Sequence, residues 1–250
     1  MSVRAAIPGL AAGPRTLARE LSRHLCRVLR LREGDRFLAF DPVARTEADA
    51  TIDEASAEGA RVTVGAVRPA SVVASAPLVL VYALAKGDKV DAVVRDATEL
   101  GATRIVIART SRAVAKADGD RADAKVDRWR RIAEQAARQC GRADPPAIHG
   151  VLAWREALDE AAPNDDASST PFARFCLWEN ATSPLGAVLP ELVMRGAPMV
   201  FAIGPEGGLT AGEVEEARVL GYAAVSLGPF VLRTETVAAA VLGAVRVLAS

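Results

Sequence analysis

No stretch of about 18 uninterrupted apolar residues occurs in this sequence, so no membrane-spanning helix is expected. The opening residues MSVRAAIPGL lack the long apolar core of a secretory signal. Cysteine is scarce. Cys26, Cys140 and Cys176 are odd in number, far apart and without metal-ligand spacing, which predicts inert thiols, no metal site and a cytoplasmic protein. Net charge is missing too, with 31 Lys and Arg against 31 Asp and Glu, a balance unlike that of a strongly basic nucleic-acid binder. The nucleotide-binding patterns G-x-x-x-x-G-K-S/T and G-x-G-x-x-G are both absent.

What is present is a chain of 250 residues, half of them hydrophobic, enough for one large domain or a large and a small one. Charge is unevenly placed. Residues 1–36 hold eight arginines against three acids, and residues 104–142 hold eleven basic residues against five acids. Residues 143–250 hold six basic and thirteen acidic residues, so RNA binding on one face stays open.

Residues 16–31 place Leu17, Leu21, Leu25, Val28 and Leu29 on one face of a predicted helix, with Arg19, Arg23, Arg27 and Arg30 on the other. A turn at 32–35 leads to predicted strands at 36–41 and 60–67, which makes residues 1–70 a small β-rich unit. Two polar, proline-bearing stretches, 68–71 and 74–77, form a linker. Beyond it a strand at 78–84, an amphipathic helix at 88–100 and a strand at 104–108 have the alternation of a parallel sheet. A long arginine-rich helix follows at 125–141, then a polar loop at 163–171 and a strand at 172–178. Glu179 stands at the carboxyl end of that strand, the edge where ligands collect in open α/β sheets.

The stretch 199–241 is the most informative. An apolar strand at 199–203 breaks at Gly204-Pro205-Glu206-Gly207-Gly208, and Thr210 with Glu213 forms a capping box that starts a helix. A second apolar run, 223–227, ends at Gly228-Pro229 and leads into a helix at 237–248 whose only charge is Arg246, expected to be buried on most sides. One glycine turn is ordinary α/β chemistry. Two in tandem, with polar residues at the second, point to a ligand site.

GPEGGLT before an acidic helix, followed by LGPFVLRTETVAAAV, resembles the C-terminal signature of the 16S rRNA (uracil-N3)-methyltransferase family of the SPOUT class. HLCRVLR followed by Gly34-Asp35 is similar to the element of that family's PUA-like domain. Lys86-Gly87-Asp88-Lys89, Ala97-Thr98-Glu99-Leu100-Gly101, Arg109-Thr110-Ser111-Arg112 and Glu134-Gln135-Ala136-Ala137-Arg138 extend the resemblance along the chain. Asp96 and Phe230 depart from it, standing where a lysine and an arginine are usual.

The resemblance implies an α/β fold with a SPOUT-type parallel sheet and a C-terminal trefoil knot at 76–250, preceded by a small PUA-like β-barrel at 1–70. Composition alone would not raise a knot, which is almost absent from proteins. The implied activity is methyl transfer from S-adenosylmethionine to N3 of a uridine, in 16S rRNA or the assembled small ribosomal subunit, by a homodimer. The cofactor would lie across Leu177 and Glu179, then Ile203, Gly204, Pro205, Glu206, Gly207 and Gly208. Leu227, Gly228, Val231, Leu232, Thr234, Glu235 and Thr236 would complete its site. RNA contacts fall to His24, Arg27, Arg30, Arg112, Arg138 and Arg142, and catalysis to Arg233 and Glu206.

Arg233 would stabilise charge developing on the uracil oxygens, and Glu206 or Glu235 would accept the N3 proton. In the alternative, the glutamates only brace the loops and bulk water takes the proton. Two other functions remain open from the residues themselves: an α/β enzyme using GPEGG as an anion loop, and an RNA-binding module without catalysis. Binding of S-adenosylmethionine separates both from the methyltransferase reading.

Overall fold

A computed structural model describes residues 3–74, 76–113, 120–161 and 171–249. The chain divides into two compact units, Met1–Val73 with Ala137–Asp144, and Ala74–Ala136 with Pro145–Ser250. Apart from Pro171, the polar loop read at 163–171 lies outside the described residues, as does Ser75 of the linker.

The first unit is built on β1 (Arg4–Ala6), β2 (Gly13–Thr16), β3 (Arg36–Asp41), β4 (Thr46–Glu54), β5 (Arg61–Val64) and β6 (Arg68–Pro69). The strand order is β1-β3-β4-β5-β2, with β6 on β4; β1 is parallel to β3 and the other pairs are antiparallel. Period-two alternation sends Phe37, Ala39, Ala48, Ala50, Ile52, Val62 and Val64 into one core with Leu17 and Leu25. The helix read at 16–31 is a correction. Thr16 belongs to β2, α1 covers only Arg19–Arg23, and a π turn follows at His24–Val28. In that turn the Leu29 amide donates to the His24 carbonyl, five residues back. The wider turn rotates the chain off the 3.6-residue wheel, so Leu25 is buried while Val28 and Leu29 are 62% and 40% exposed.

The second unit is a wholly parallel sheet. Its strands are β7 (Leu78–Ala83), β8 (Arg104–Arg109), β9 (Ala147–Ala153), β10 (Ala173–Leu177), β11 (Met199–Ile203) and β12 (Ala223–Val225), in the order β12-β10-β11-β7-β8-β9. β7 and β11 are buried at every position, as strands covered on both faces must be.

The helices are α2 (Lys89–Glu99), α3 (Asp120–Cys140), α4 (Trp154–Ala161), α5 (Leu189–Met194), α6 (Ala211–Val219) and α7 (Thr234–Leu248). Leu80, Tyr82, Ile105, Ile107 and Phe201 pack with α2, α3 and α7 on one face. Val79, Val81, Val106 and Val200 pack with α4 and α6 on the other. Within this unit α7 buries a single stripe, Ala238, Val241, Leu242 and Val245, and leaves Val247 72% exposed. It is thus less enclosed than its apolar composition predicts.

From β7 the chain steps through β8 to β9 in one direction, whereas β11 lies on the other side of β7. The sheet therefore has a topological switch between β7 and β11, and a crevice at the carboxyl ends of those strands is the expected ligand position.

Candidate active site

At that edge a cavity of about 580 Å³ opens, within the size range of small-molecule sites. Leu177, the last residue of β10, and Glu179 just beyond it reach into it, residues 203–209 form one wall and residues 225–234 another. Glycine is required at two positions for different reasons. A Cβ on Gly204 would sit 2.7 Å from Leu209 Cγ, so the turn closes only over bare backbone. Gly208 has φ +71°, and a Cβ there would also meet Glu179 Oε1 at 3.0 Å.

The loop hands over to α6 through the capping box read in the sequence. Glu213 N donates to Thr210 Oγ1 at 3.2 Å, and Thr210 N donates to Glu213 Oε2 at 2.8 Å. The other oxygen, Glu213 Oε1, accepts from Ser111 N at 2.8 Å and Ser111 Oγ at 3.2 Å, which ties the loop after β8 to the same helix start. Burial works to raise the Glu213 carboxyl, but the Thr210 and Ser111 donors outweigh it and hold the group below its ordinary value. Glu213→Gln is expected to destabilise the protein by about 1–3 kcal/mol at neutral pH, because the donors keep only a weaker, neutral acceptor. A depressed carboxyl contributes stability above its unfolded value and loses it as pH falls through the folded one. Denaturation midpoints of the two proteins should therefore converge below the ordinary value of 4.5, and a gap constant down to strong acid would refute the assignment.

The cavity's charged and polar side chains come from separate parts of the chain. Lys89, the first residue of α2, places Nζ 3.1 Å from Glu206 Oε1 and 3.5 Å from Glu235 Oε2. Tyr82 on β7 shares a hydrogen bond of 2.9 Å with Thr234 Oγ1, and Thr234 Oγ1 donates to Glu235 Oε2 at 3.2 Å. Burial pushes the Tyr82 hydroxyl up to about 12, so it stays protonated. Arg233 caps α7 from an exposed position at the rim, with no hydrogen bond or ion pair to its side chain among the described residues.

Glu206 is, with Glu235, one of the two carboxylates read from the sequence as proton acceptors. Burial works to raise its carboxyl, yet its own amide, Lys89 and the Lys86 amide together hold it low. A carboxylate held low by such partners is a weaker base than a free one.

The structure brings together Leu177, Glu179, the residues from Ile203 to Gly208, Leu227, Gly228, Val231, Leu232, Arg233 and Thr234 as lining of one cavity. Glu235 is not in the lining and touches it through Lys89 and Thr234, and Thr236, in the first turn of α7, also lies outside the lining. Lys89 and Tyr82 are the residues that sequence reasoning left without a role. The signal for Lys89 was legible: a lysine at a helix N-terminus opposes the helix dipole and needs carboxylates nearby.

Among the expected RNA contacts, His24, Arg27 and Arg30 are exposed in the first unit, with no side-chain hydrogen bond or ion pair among the described residues. Arg30 holds φ +59°, a left-handed conformation rare for a side-chain-bearing residue. Arg112 donates from one terminal nitrogen to the Gly207 carbonyl at 3.1 Å, on the glycine loop itself. Arg138 is half-buried near the end of α3. Arg142 is a correction. It is 5% exposed, with Nε 3.1 Å from Asp144 Oδ1 and a terminal nitrogen 2.8 Å from the Asp144 carbonyl, so its guanidinium is closed into the first unit.

Among the described residues no helix is long and apolar enough to cross a membrane, and no cluster of His, Cys, Asp or Glu could hold a metal ion. The three cysteines are free, and Cys176 is buried.

A glycine-walled cavity at the switch point of a parallel sheet matches a known class. Residues 74–246 match the model of an RNA methyltransferase domain, and residues 17–64 match that of an RNA methyltransferase PUA domain. The ribosomal RNA small subunit methyltransferase E of Mycobacterium bovis is 34% identical over 91% of this chain and 84% of its own. That of Synechocystis is 30% identical over 93% of this chain and 73% of its own. The crystal structure of the Neisseria gonorrhoeae enzyme of that name, bound to S-adenosyl methionine, superposes with a TM-score of 0.86 at 26% identity, covering 99% of this chain and 98% of that one. The chain belongs to the ribosomal RNA small subunit methyltransferase E family.

Proposed function

We propose that this protein transfers the methyl group of S-adenosylmethionine to N3 of a uridine in 16S rRNA of the small ribosomal subunit. The observation that carries the reading is the cavity itself, which joins both glycine loops to an exposed arginine at its rim. Its residues fit the donor. Residues 203–208 and 227–232 line the cavity on two sides, and Glu179 offers a carboxylate to ribose hydroxyls or an ammonium.

S-adenosylmethionine supplies a methyl carbon on a sulfonium, an electrophile attacked in line with the carbon–sulfur bond. The chain's own residues have two tasks. One is to hold the base so that N3 faces that line, a positioning effect worth roughly 7–11 kcal/mol in well-oriented cases. The other is to favour loss of the N3 proton. Arg233, exposed at the rim, stabilises the negative charge that spreads onto the uracil oxygens. Glu206 and Glu235, both held ionised, brace the cavity walls, and the proton leaves to solvent.

The finer architecture belongs to the same proposal. The domain division falls near residues 70–76, with the N-terminal sheet curled as a PUA-like barrel and α7 threaded through a trefoil knot. The exposed His24, Arg27 and Arg30 hold RNA phosphates, joined by Arg112 and Arg138. A homodimer is supported by Phe230 and Val231, 80% and 84% exposed, and by the exposed apolar end of α7. The enzyme works in the cytoplasm, where ribosomes are assembled.

Calorimetric titration tests the core of the reading, with S-adenosylmethionine as ligand and ATP and NAD as controls. Micromolar binding of the donor alone is expected, followed by 3-methyluridine in nuclease digests of 16S rRNA incubated with enzyme and donor. A folded sample that binds no donor, or one that binds it and leaves the rRNA unmethylated, overturns the proposal.

A further inference from the structure

We propose that Lys89 is a positioning residue that clamps the two loops of the donor cavity together, by bridging Glu206 of the glycine loop and Glu235 of α7. The inference rests on the methyl-donor reading of that cavity.

The geometry is a shared cation. Lys89 Nζ lies 3.1 Å from Glu206 on the glycine loop and 3.5 Å from Glu235 in the first turn of α7, just after the second loop. Lys89 belongs to neither loop. It starts α2, whose Val90, Val93, Val94 and Ala97 are buried in the sheet's core, so its backbone is a fixed post. On the far side, the Tyr82 hydroxyl on β7 meets Thr234 Oγ1, which donates on to Glu235. Glu206, Lys89, Glu235, Thr234 and Tyr82 thus form one polar chain from the glycine loop to the fully buried strand β7.

The side chains of Lys89, Glu206 and Glu235 are 32%, 32% and 28% exposed, and ion pairs so open to water add little to folding stability. Their effect is on geometry. Gly207, Gly228, Pro229, Phe230 and Val231 are exposed. A cation shared by carboxylates at the roots of both loops limits the shapes those loops adopt, and a ligand that spans them then orders fewer residues on binding. The titratable groups that face Lys89 are Glu206 and Glu235; Tyr82 feels the same two carboxylates, and Arg233 stands at the start of α7.

The test uses full-length protein, calorimetry with S-adenosylmethionine and S-adenosylhomocysteine, and thermal melting. Lys89→Met is expected to weaken both ligands about tenfold through lost preorganisation, with little change in melting temperature. Lys89→Arg keeps the charge and should stay within about threefold of wild type. Because Lys89 and Glu206 act through one bridge, Glu206→Gln should cost less affinity in the Lys89→Met background than in wild type, a coupling that a merely structural lysine would not produce. Unchanged affinity in Lys89→Met, or fully additive effects, overturns the inference. If Lys89→Met does not fold, Glu235→Gln reads the same bridge from its other end: weakening supports the clamp and unchanged binding overturns it. Failure of wild type to bind the donor would instead fall on the proposed function, so the two failures are distinguishable.

Discussion

Arg233→Ala is expected to lower methyl transfer by about 10²–10³-fold while leaving S-adenosylmethionine affinity within a few-fold of wild type, as when a preorganised donor to a developing anion is removed. Arg233 lines the cavity, is exposed and has no side-chain partner among the described residues, so its removal breaks no internal contact there. Its charge is available to a substrate that becomes anionic only as the reaction proceeds, which is why turnover falls and donor binding does not. Single-turnover methylation of 16S rRNA at saturating donor measures the chemical step directly. A variant with wild-type turnover would remove Arg233 from catalysis. Loss confined to donor affinity would make it a binding residue.

Phe201→Ala carries the largest expected effect on folding, a loss of about 3–5 kcal/mol. Phe201 lies at the centre of β11, fully buried, with its ring stacked on Phe175 of β10 at a centroid distance of 5.6 Å. Truncation leaves a void beside Phe175, between the sheet and the helices packed on that face, in a close-packed core. The same strand ends at Ile203 and runs directly into the Gly204 turn that walls the cavity, so donor affinity should fall with stability. Urea unfolding gives the first quantity and calorimetry the second. A loss under about 1 kcal/mol would show that the sheet relaxes around this position.

Much of the site was legible because it is local. The turn at residues 204–208 follows from three glycines and a proline after an apolar run, and the Thr210–Glu213 capping box needs only residues three apart. β11 runs Met199–Ile203, as its unbroken apolar pattern predicts. β4 was missed because alanine and threonine carry its alternation between acidic residues, a pattern with weak strand propensity that gains its burial from β3 and β5. Val28 and Leu29 were misplaced for a different reason. A helical wheel assumes one period throughout, and the π turn at His24–Val28 breaks it.

By itself the sequence determined the strand-loop-helix units, the conformations their glycines permit and the family to which they point, since each depends on residues within a few positions of one another. Only the tertiary structure decided which units meet. Glu213 finds Ser111 across 102 residues, and Tyr82 finds Thr234 across 152. The order in which strands join the sheet sets those pairings, and no local pattern encodes it. The same order turned Lys89 from a lysine opposing a helix dipole into the shared counterion of two carboxylates. Arg142 meets Asp144 only two residues away, but packing in the first unit buries the pair and withdraws the arginine from the RNA role its motif implies.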